Sequence, residues 1–207
     1  MARLAASFSR GKPRFKPQQR TLVLCEDEKA SLQYLKEAAY HFRSYADIEI
    51  SHCGNTDPLG IVKTAAKRRP QYDAVYCVID RDSHHGFDAA LDLAARHGVE
   101  VIASYPCFEF WLLLHCRYSR APYMPAGELS SADRLLRALR VEPGMEQYAK
   151  CDTAGLFVKL LPQLPAARVR AAQALGEANA VGEFNPSTRL HDLIEWFERL
   201  GQLRPAN

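Results

Sequence analysis

The chain has 207 residues, of which 47% are hydrophobic and 25% are charged, and these proportions are ordinary for one soluble globular domain with a well-formed core. Its formal net charge of +3 is too small to indicate nucleic-acid binding by itself. The sequence has neither an N-terminal signal-peptide pattern nor an uncharged apolar run of about eighteen residues, so we expect a cytoplasmic protein without a membrane segment.

Residues 1–20 are basic and contain no acidic residue. The cationic residues of this segment are Arg3, Arg10, Lys12, Arg14, Lys16 and Arg20, and glycine and proline lie between them. This composition is typical of a flexible arm. Such an arm, with Lys12, Arg14 and Lys16 at its centre, would bind nucleic-acid phosphates in a salt-dependent way. The alternative is a solvated tail without a partner, as we also expect for residues 201–207.

The first half of the chain alternates short apolar runs with helical patterns. The runs predict strands at 21–25, 48–52, 73–79 and 99–104, and the patterns predict helices at 31–43, from the turn at 55–58 up to 69, and at 87–96. Strands that alternate with helices predict an α/β fold in which helices cover both faces of a parallel sheet.

After Pro106 the pattern becomes mainly helical. The segment 108–115 is apolar all round, and further helices are predicted at 130–140, 153–161, 166–179 and 187–200, the last one beginning at Ser187. We therefore expect one domain over residues 21–200, of which 107–200 is mostly helical.

Six cysteines are spread along the chain. They are Cys25, Cys53, Cys77, Cys107, Cys116 and Cys151, without a C-x-x-C pair and mostly inside apolar runs. This pattern indicates buried free thiols in a reducing compartment, and neither a disulfide framework nor a zinc site.

Carboxylates follow two of the predicted strands. Glu26 follows the first strand, and Asp80 and Asp82 follow the third. Ligands of an open parallel sheet bind beyond the carboxyl ends of its strands, and residues two apart in a strand point the same way. Gathered carboxylates repel each other unless a cation lies between them, and oxygen ligands suit Mg²⁺ or Mn²⁺. The pattern predicts a metal site for phosphodiester chemistry, although acidic residues are also common on solvated sheet rims.

Four sequence blocks together resemble one protein family. They are LVLCEDEK at 22–29, YCVIDRD at 76–82, PCFEFWLLLH at 106–115 and NPST at 185–188. Each block is weak alone, but in this order they resemble the RloB-like family. The resemblance implies a Toprim-like core, in which a Glu after the first strand and an Asp-x-Asp after the third hold Mg²⁺. These positions are Glu26, Asp80 and Asp82.

The same resemblance implies a function and partners. Its members are associated with phage defence or abortive infection and are usually encoded beside an AAA-type ATPase (RloA-like). A related Toprim effector of such systems cuts transfer RNA, so a metal-dependent nuclease that favours RNA such as tRNA over DNA is expected by analogy. A homo-oligomer is left open, and no membrane partner is expected.

Further site residues come from two of these blocks and from one additional tract. Glu109 lies in an apolar segment, where a carboxylate needs a partner or a metal. Lys150 belongs to a Tyr-x-Lys tract that resembles a family motif, and we expect its charge to stabilise a reacting phosphate. Lys29 and His115 are expected to contact nucleic acid, although His115 is equally compatible with a hydrogen-bonded core histidine.

The NPST block precedes a predicted helix. Asn185, Ser187 and Thr188 are expected to bind phosphate there, because a helix start offers backbone N–H groups to an anion. The alternative is a plain helix cap formed by Ser187 or Thr188.

Two residues depart from the family pattern. Asp27 stands where the family commonly has Gly, and it adds negative charge where phosphate is expected to bind. Tyr105 stands where the family has Asn. Both changes bear on substrate geometry and leave the predicted metal ligands intact.

Other functions fit the acidic residues less well. A response-regulator receiver needs a Lys after a later strand, a topoisomerase needs another domain with a nucleophilic Tyr, and template and nucleotide sites of a primase are not recognisable. Two alternatives stay open. One is a non-catalytic Toprim-like sensor or assembly subunit of an AAA ATPase complex, and the other is phosphodiester chemistry on a small nucleotide.

Overall fold

The computed structural model describes residues 19–42, 47–81 and 86–202. These residues form a five-stranded sheet with helices on both faces. The strands are β1 (Arg20–Cys25), β2 (Asp47–His52), β3 (Ala74–Asp80), β4 (Glu100–Tyr105) and β5 (Ser187–Thr188). The helices are α1 (Ala30–His41), α2 (Pro58–Arg68), α3 (Phe87–His97), α4 (Glu109–Cys116), α5 (Ser131–Arg140), α6 (Leu156–Leu160), α7 (Leu164–Val181) and α8 (Leu190–Gln202), with 3-10 turns at Arg69–Gln71 and Leu161–Gln163.

The sheet is parallel except at one edge. Its strand order is β2-β1-β3-β4-β5, and only β5 runs antiparallel to its neighbour. The predicted α/β class and the helical second half are therefore confirmed. Because β1 and β3 are adjacent and parallel, with Cys25 paired to Val78, the residues that follow the two strands meet at the same edge.

Each face of the sheet packs into its own apolar core. Val23, Tyr76 and Val78 pack with α1, α4, α7 and α8 on one face, and Leu24 and Cys77 pack with α2 and α3 on the other. Successive side chains of a strand point to opposite faces, so strands covered on both sides are apolar throughout. This is why the predicted strands are continuous apolar runs.

Helix α4 is surrounded by other elements. Its residues from Glu109 to His115 are all buried, and its main helical contacts are with α5 and α7. Small side chains of α7, which include Ala167, Ala171 and Ala174, are also fully buried and allow close packing. The apolar character all round residues 108–115 therefore reflects burial on every side.

Capping residues begin or end several of the helices. Gly98 ends α3 in the left-handed conformation with φ of 62°, as a helix-terminating glycine commonly does. Ser130 and Asp133 form a reciprocal capping box at the start of α5. Asp57 accepts the backbone N–H of Gly60 at the start of α2.

The prediction of one continuous helix over 187–200 is wrong at its start. Ser187 and Thr188 form β5 on the edge of β4, and α8 begins only at Leu190. The backbone groups on the free edge of β4 pair with this short segment, which a single-sequence pattern does not reveal. The predicted helix at 153–161 shortens to Leu156–Leu160, and the helix predicted at 166–179 extends to Leu164–Val181.

Two further sequence predictions concern the whole chain. All six cysteines are free thiols, as expected, although Cys151 is exposed. None of the helices in the part of the chain that the structure describes is long and apolar enough to cross a membrane.

Candidate metal centre

Glu26 connects the ends of the two central strands. Its backbone N–H donates to the carbonyl oxygen of Val78 at 3.0 Å, which continues the pairing of β1 with β3 by one residue. Its side-chain Oε2 accepts the backbone N–H of Asp80 at 2.9 Å. The predicted meeting of Glu26 and Asp80 at one edge of the sheet is therefore present.

Asp80 lies among other carboxylates. Burial, followed by the negative charges of Glu109 and Glu26, holds the pKa of its carboxyl well above the usual range, and the ammonium group of Lys150 opposes this shift. A carboxylate in this environment is stabilised by a proton or by a cation.

Asp80, Cys107 and Glu109 form a compact group of ligand-type side chains. One ligand atom of each lies within 4.8 Å of the others. Cys107 is 2% exposed and Glu109 is 1% exposed. Asp80 ends β3, whereas Cys107 and Glu109 lie at the turn from β4 into α4, so the neighbouring carboxyl ends of two parallel strands build the group.

Glu109 has two differently placed oxygens. Its Oε1 accepts the hydroxyl proton of Tyr148 at 3.0 Å and lies 3.2 Å from Nζ of Lys150. Its Oε2 is buried and has no hydrogen-bond partner among the residues that the structure describes. The expectation that this carboxylate needs a partner is met at one oxygen, and the other oxygen carries the cost of burial.

The residues fit a divalent cation. The ligand atoms of two carboxylates and a thiol lie within 4.8 Å of one another, one carboxylate oxygen is buried without a hydrogen bond in the described part of the chain, and the pKa of Asp80 is raised. One positive ion would compensate all three features. Asp82, the third predicted ligand, lies outside the described residues, and its part in the site stays a prediction.

A cleft of about 400 Å³ is lined by two members of this group, Asp80 and Cys107. Its lining residues are Glu26, Asp27, Glu28, Lys29, Thr56, Asp80, Cys107, Ala132 and Lys150. The acidic side chains outnumber the two lysines, so a phosphate would be repelled unless a cation were bound. The two lysines that were expected to contact phosphate, Lys29 and Lys150, both line the cleft.

Residues 21–197 match the model of a protein family described as RloB-like protein. The chain belongs to this family. The match covers most of the chain and includes the Asp80, Cys107 and Glu109 group. No curated protein and no solved structure shows significant similarity to the chain. The RloB-like resemblance of the sequence blocks is thus confirmed, while the family description itself names no reaction.

Asp27, which departs from the common pattern of RloB-like proteins, has a structural role here. Its carboxylate accepts the backbone N–H of Lys29 at 3.2 Å and that of Ser31 at 2.8 Å. These amides lie at the start of α1, where backbone N–H groups lack helical partners. The N-terminus of α1 would otherwise attract an anion, and the negatively charged carboxylate of Asp27 already occupies this position.

Tyr105, the second departure, braces the residue after Asp80. Its hydroxyl accepts a hydrogen bond from Nη1 of Arg81 at 2.7 Å. The guanidinium carbon of Arg81 lies 4.8 Å from the ring centroid of Phe87 and 5.1 Å from that of Tyr105. This packing fixes the backbone exit of β3 on the face opposite the cluster.

The expectation that His115 contacts nucleic acid is not supported by its position. The ring is 2% exposed, with Nδ1 at 2.9 Å from the carbonyl oxygen of Trp111 and Nε2 at 3.3 Å from the hydroxyl oxygen of Tyr34. A side chain enclosed in this way cannot reach a phosphate. The alternative of a hydrogen-bonded core histidine is the correct interpretation.

The NPST residues also lie away from the cleft lining. Ser187 and Thr188 are buried in β5, and the Oγ atoms of Thr188 and Ser104 lie 2.9 Å apart. The side chain of Asn185 bonds both the N–H and the carbonyl oxygen of Tyr123. These contacts anchor the sheet edge, and phosphate binding by the three residues has no support from the geometry. Lys12, Arg14 and Lys16 lie outside the described residues.

Two members of the site were missed as functional residues in the sequence. Cys107 was interpreted as one of several buried thiols, although it stands two residues before Glu109 at a strand end. Tyr148 was noted only as part of a motif, yet its hydroxyl fixes Oε1 of Glu109. The spacing of Tyr148 and Lys150 was the available signal, because both converge on the same carboxylate oxygen.

Proposed function

We propose that this RloB-like protein is a divalent-metal-dependent nuclease that hydrolyses phosphodiester bonds in nucleic acid. The observation that carries the proposal is the acidic cleft, which is lined by Asp80, a close neighbour of the Glu109 carboxylate, and has Lys29 and Lys150 in its wall. Such a cleft suits a bound cation with an anionic substrate above it.

The metal-binding role is assigned to Glu26, Asp80 and Asp82, with Glu109 beside them. An Mg²⁺ or Mn²⁺ ion bound there would neutralise charge that develops on a phosphate oxygen. The attachment of Glu26 to the backbone of Asp80 supports this assignment, because it holds the first carboxylate at the end of the second strand. In this proposal Glu26 would also accept a proton from an attacking water.

Lys150 contributes a fixed positive charge. Burial tends to lower the pKa of its ammonium group, but the negative charges of Glu109, Cys107 and Asp80 reverse this effect and raise it above the ordinary value. Lys150 therefore stays protonated and acts as an electrostatic group, and it does not act as a base. Its side chain is 47% exposed, so it is able to meet a substrate in the cleft.

The substrate and the biological setting rest on family membership. We propose RNA, with transfer RNA favoured over DNA, and a role in antiphage defence or abortive infection beside an RloA-like AAA-type ATPase. The basic segment that precedes β1 favours a polymer over a small nucleotide, because a polymer offers many phosphates to its cations.

One observation favours a second function. The carboxylate of Asp27 lies at the N-terminus of α1 beside the cleft, where it weakens the attraction of a phosphate. A non-catalytic sensor or assembly subunit of an ATPase complex would tolerate this charge, whereas a nuclease must overcome it with a metal.

Cleavage assays separate the two functions. The purified full-length chain is incubated with total tRNA, single-stranded DNA and plasmid in the presence of Mg²⁺, Mn²⁺ or EDTA, with Asp80→Asn as the matched control. We expect metal-dependent cutting of tRNA that the variant lacks. Absence of cutting on every polymer, also after addition of an RloA-like AAA-type ATPase, would contradict the nuclease and support the assembly subunit.

A further inference from the structure

Cys107 is a cleft residue to which the reaction above assigns no role. Its Sγ lies within 4.8 Å of a carboxylate oxygen of Asp80 and of Glu109. The thiol is 2% exposed, yet it belongs to the cleft lining, so an ion that enters the cleft can reach it. Cys25 and Cys77, which are buried to a similar degree, belong to β1 and β3 and are not among the lining residues of the cleft.

We propose that Cys107 is a metal ligand that acts together with Asp80 and Glu109. A thiolate is a soft ligand, and it favours borderline ions such as Zn²⁺ or Co²⁺ over Mg²⁺. The centre would therefore bind a thiophilic divalent ion more tightly than its carboxylates alone would allow. This inference refines the proposed metal site and does not depend on whether the chain cleaves nucleic acid.

The environment of Glu109 gives independent support. Its Oε2 is buried without a hydrogen-bond partner in the described part of the chain, and such an atom carries a large desolvation cost. Oε1 is already held by Tyr148 and Lys150. Outer contacts of this kind commonly orient a metal-binding carboxylate and leave its other oxygen for the ion.

A bound ion also offsets most of the negative charge of the centre. A Cys107 thiolate and the carboxylates of Asp80, Glu109 and the adjoining Glu26 contribute four negative charges, and a divalent ion together with the ammonium of Lys150 contributes three positive ones. When the ion binds, the thiol proton passes to solvent and one sulfur–metal bond forms, with no change of oxidation state. A buried site whose charge is largely offset avoids much of the cost of an unpaired ion.

The test is direct spectroscopy of the metal–sulfur bond. The metal-free full-length chain is titrated with Cd²⁺, whose thiolate complexes absorb in the ultraviolet by charge transfer, and with Co²⁺, whose visible spectrum reports its ligands. We expect a band that saturates at one equivalent. Cys107→Ser should remove the band and weaken Zn²⁺ binding by roughly tenfold or more, while Mg²⁺ binding changes little.

Cys77→Ser is the matched control. Cys77 is fully buried but belongs to the core on the other face of the sheet, so this variant should keep the band. Should Cys107→Ser fail to fold by circular dichroism, Asp80→Asn keeps the thiol and removes a neighbouring ligand. This variant should weaken Cd²⁺ binding by a similar factor, and unchanged binding would overturn the proposal.

The outcomes distinguish this inference from the nuclease function. A wild-type chain without a thiolate band, or a band that persists in Cys107→Ser, overturns the role of Cys107 even if Mg²⁺-dependent cleavage is observed. A band that Cys107→Ser removes supports the ligand role even if no polymer is cut.

Discussion

Nζ of Lys150 lies 3.2 Å from Oε1 of Glu109. The loop between α5 and α6 thereby delivers a half-exposed ammonium group to a carboxylate that is 1% exposed at the first turn of α4. Tyr148, from the same loop, donates its hydroxyl proton to the same oxygen. These contacts link the loop and the buried helix at the wall of the cleft.

Lys150→Met should destabilise the metal-free protein. The substitution leaves Glu109 with the Tyr148 hydroxyl alone, and we expect the free energy of unfolding to fall by about 1–3 kcal/mol, less than for a fully buried pair because Lys150 is half-exposed. Urea denaturation measures the change. The double variant Lys150→Met/Glu109→Gln removes both charges and should be more stable than Lys150→Met. A double variant that is less stable than the single one would show that the pair does not compensate the buried charge.

Glu26→Gln and Glu26→Ala should separate a structural from a chemical role. Glutamine keeps a side-chain oxygen for the N–H of Asp80, so Glu26→Gln should retain stability but lose cleavage by about 10²-fold or more. Glu26→Ala also loses the hydrogen bond and should be less stable by about 1 kcal/mol. Urea denaturation measures the stability of each variant. Cleavage of the polymer that the wild type cuts measures its activity. Full activity in Glu26→Gln would remove Glu26 from the mechanism.

Asp80→Asn should stabilise the metal-free protein but reduce the stability gained on metal binding. In the absence of metal it relieves repulsion with Glu26 and Glu109, and we expect a gain of about 1 kcal/mol in the free energy of unfolding. With excess Mn²⁺ the wild type should gain stability through binding, and the variant should gain much less. Thermal denaturation in EDTA and in Mn²⁺ tests both expectations. An equal metal-induced rise in Tm for the two proteins would place the ion elsewhere.

His115 should make the protein sensitive to acid. Burial, partly opposed by the hydrogen bond to Trp111, lowers the pKa of its ring to about 4 from the ordinary value of 6.5. The unfolded state therefore binds more protons between these two values, and stability falls as the pH drops from about 6.5 towards 4, by about 3 kcal/mol for this residue.

The matched variants for this effect are His115→Gln and His97→Gln. His97 is exposed, so its replacement retains the buried ring and should keep the acid sensitivity. His115→Gln should have a flatter dependence of unfolding free energy on pH between about 6.5 and 4. Parallel pH profiles for wild type and His115→Gln would contradict the assignment of a buried neutral ring.

Removal of residues 1–18 should weaken nucleic-acid binding in a salt-dependent way. This segment carries Arg3, Arg10, Lys12, Arg14 and Lys16. Each side chain that contacts a phosphate should contribute roughly one unit to the slope of log Kobs against log salt concentration. Fluorescence anisotropy at several salt concentrations measures the slope, with Asp80→Asn, which we expect not to cleave, as the background. An unchanged slope would show that the segment takes no part in binding.

The alternation of apolar runs and helical patterns predicts the parallel sheet and the edge at which its strands end. Strand and helix periodicities are local properties, and β1 to β4 lie within one or two residues of their predicted positions. Once parallel strands are predicted, Glu26 and Asp80 must follow strands that end at the same edge. The sequence alone therefore located the acidic cleft.

Strand β5 depended on the tertiary structure. A two-residue strand has no periodicity, and Thr188 pairs with Ser104, which is 84 residues earlier in the chain. The NPST block was predicted as a helix start because local signals for a cap and for a strand edge are similar. Only the unpaired edge of β4 selects between them.

The sequence likewise indicated some of the site residues, and the tertiary structure selected the others. Charge and chain position indicated Asp80 and Glu109, because carboxylates are unusual in apolar segments. Cys107 and His115 belong to one sequence block and are buried to the same degree, but Cys107 lines the cleft whereas α1 and α4 enclose His115. Local sequence determined which chemical groups this chain possesses. Only the packing of elements that are distant in the sequence decided which of these groups lie close together at one site.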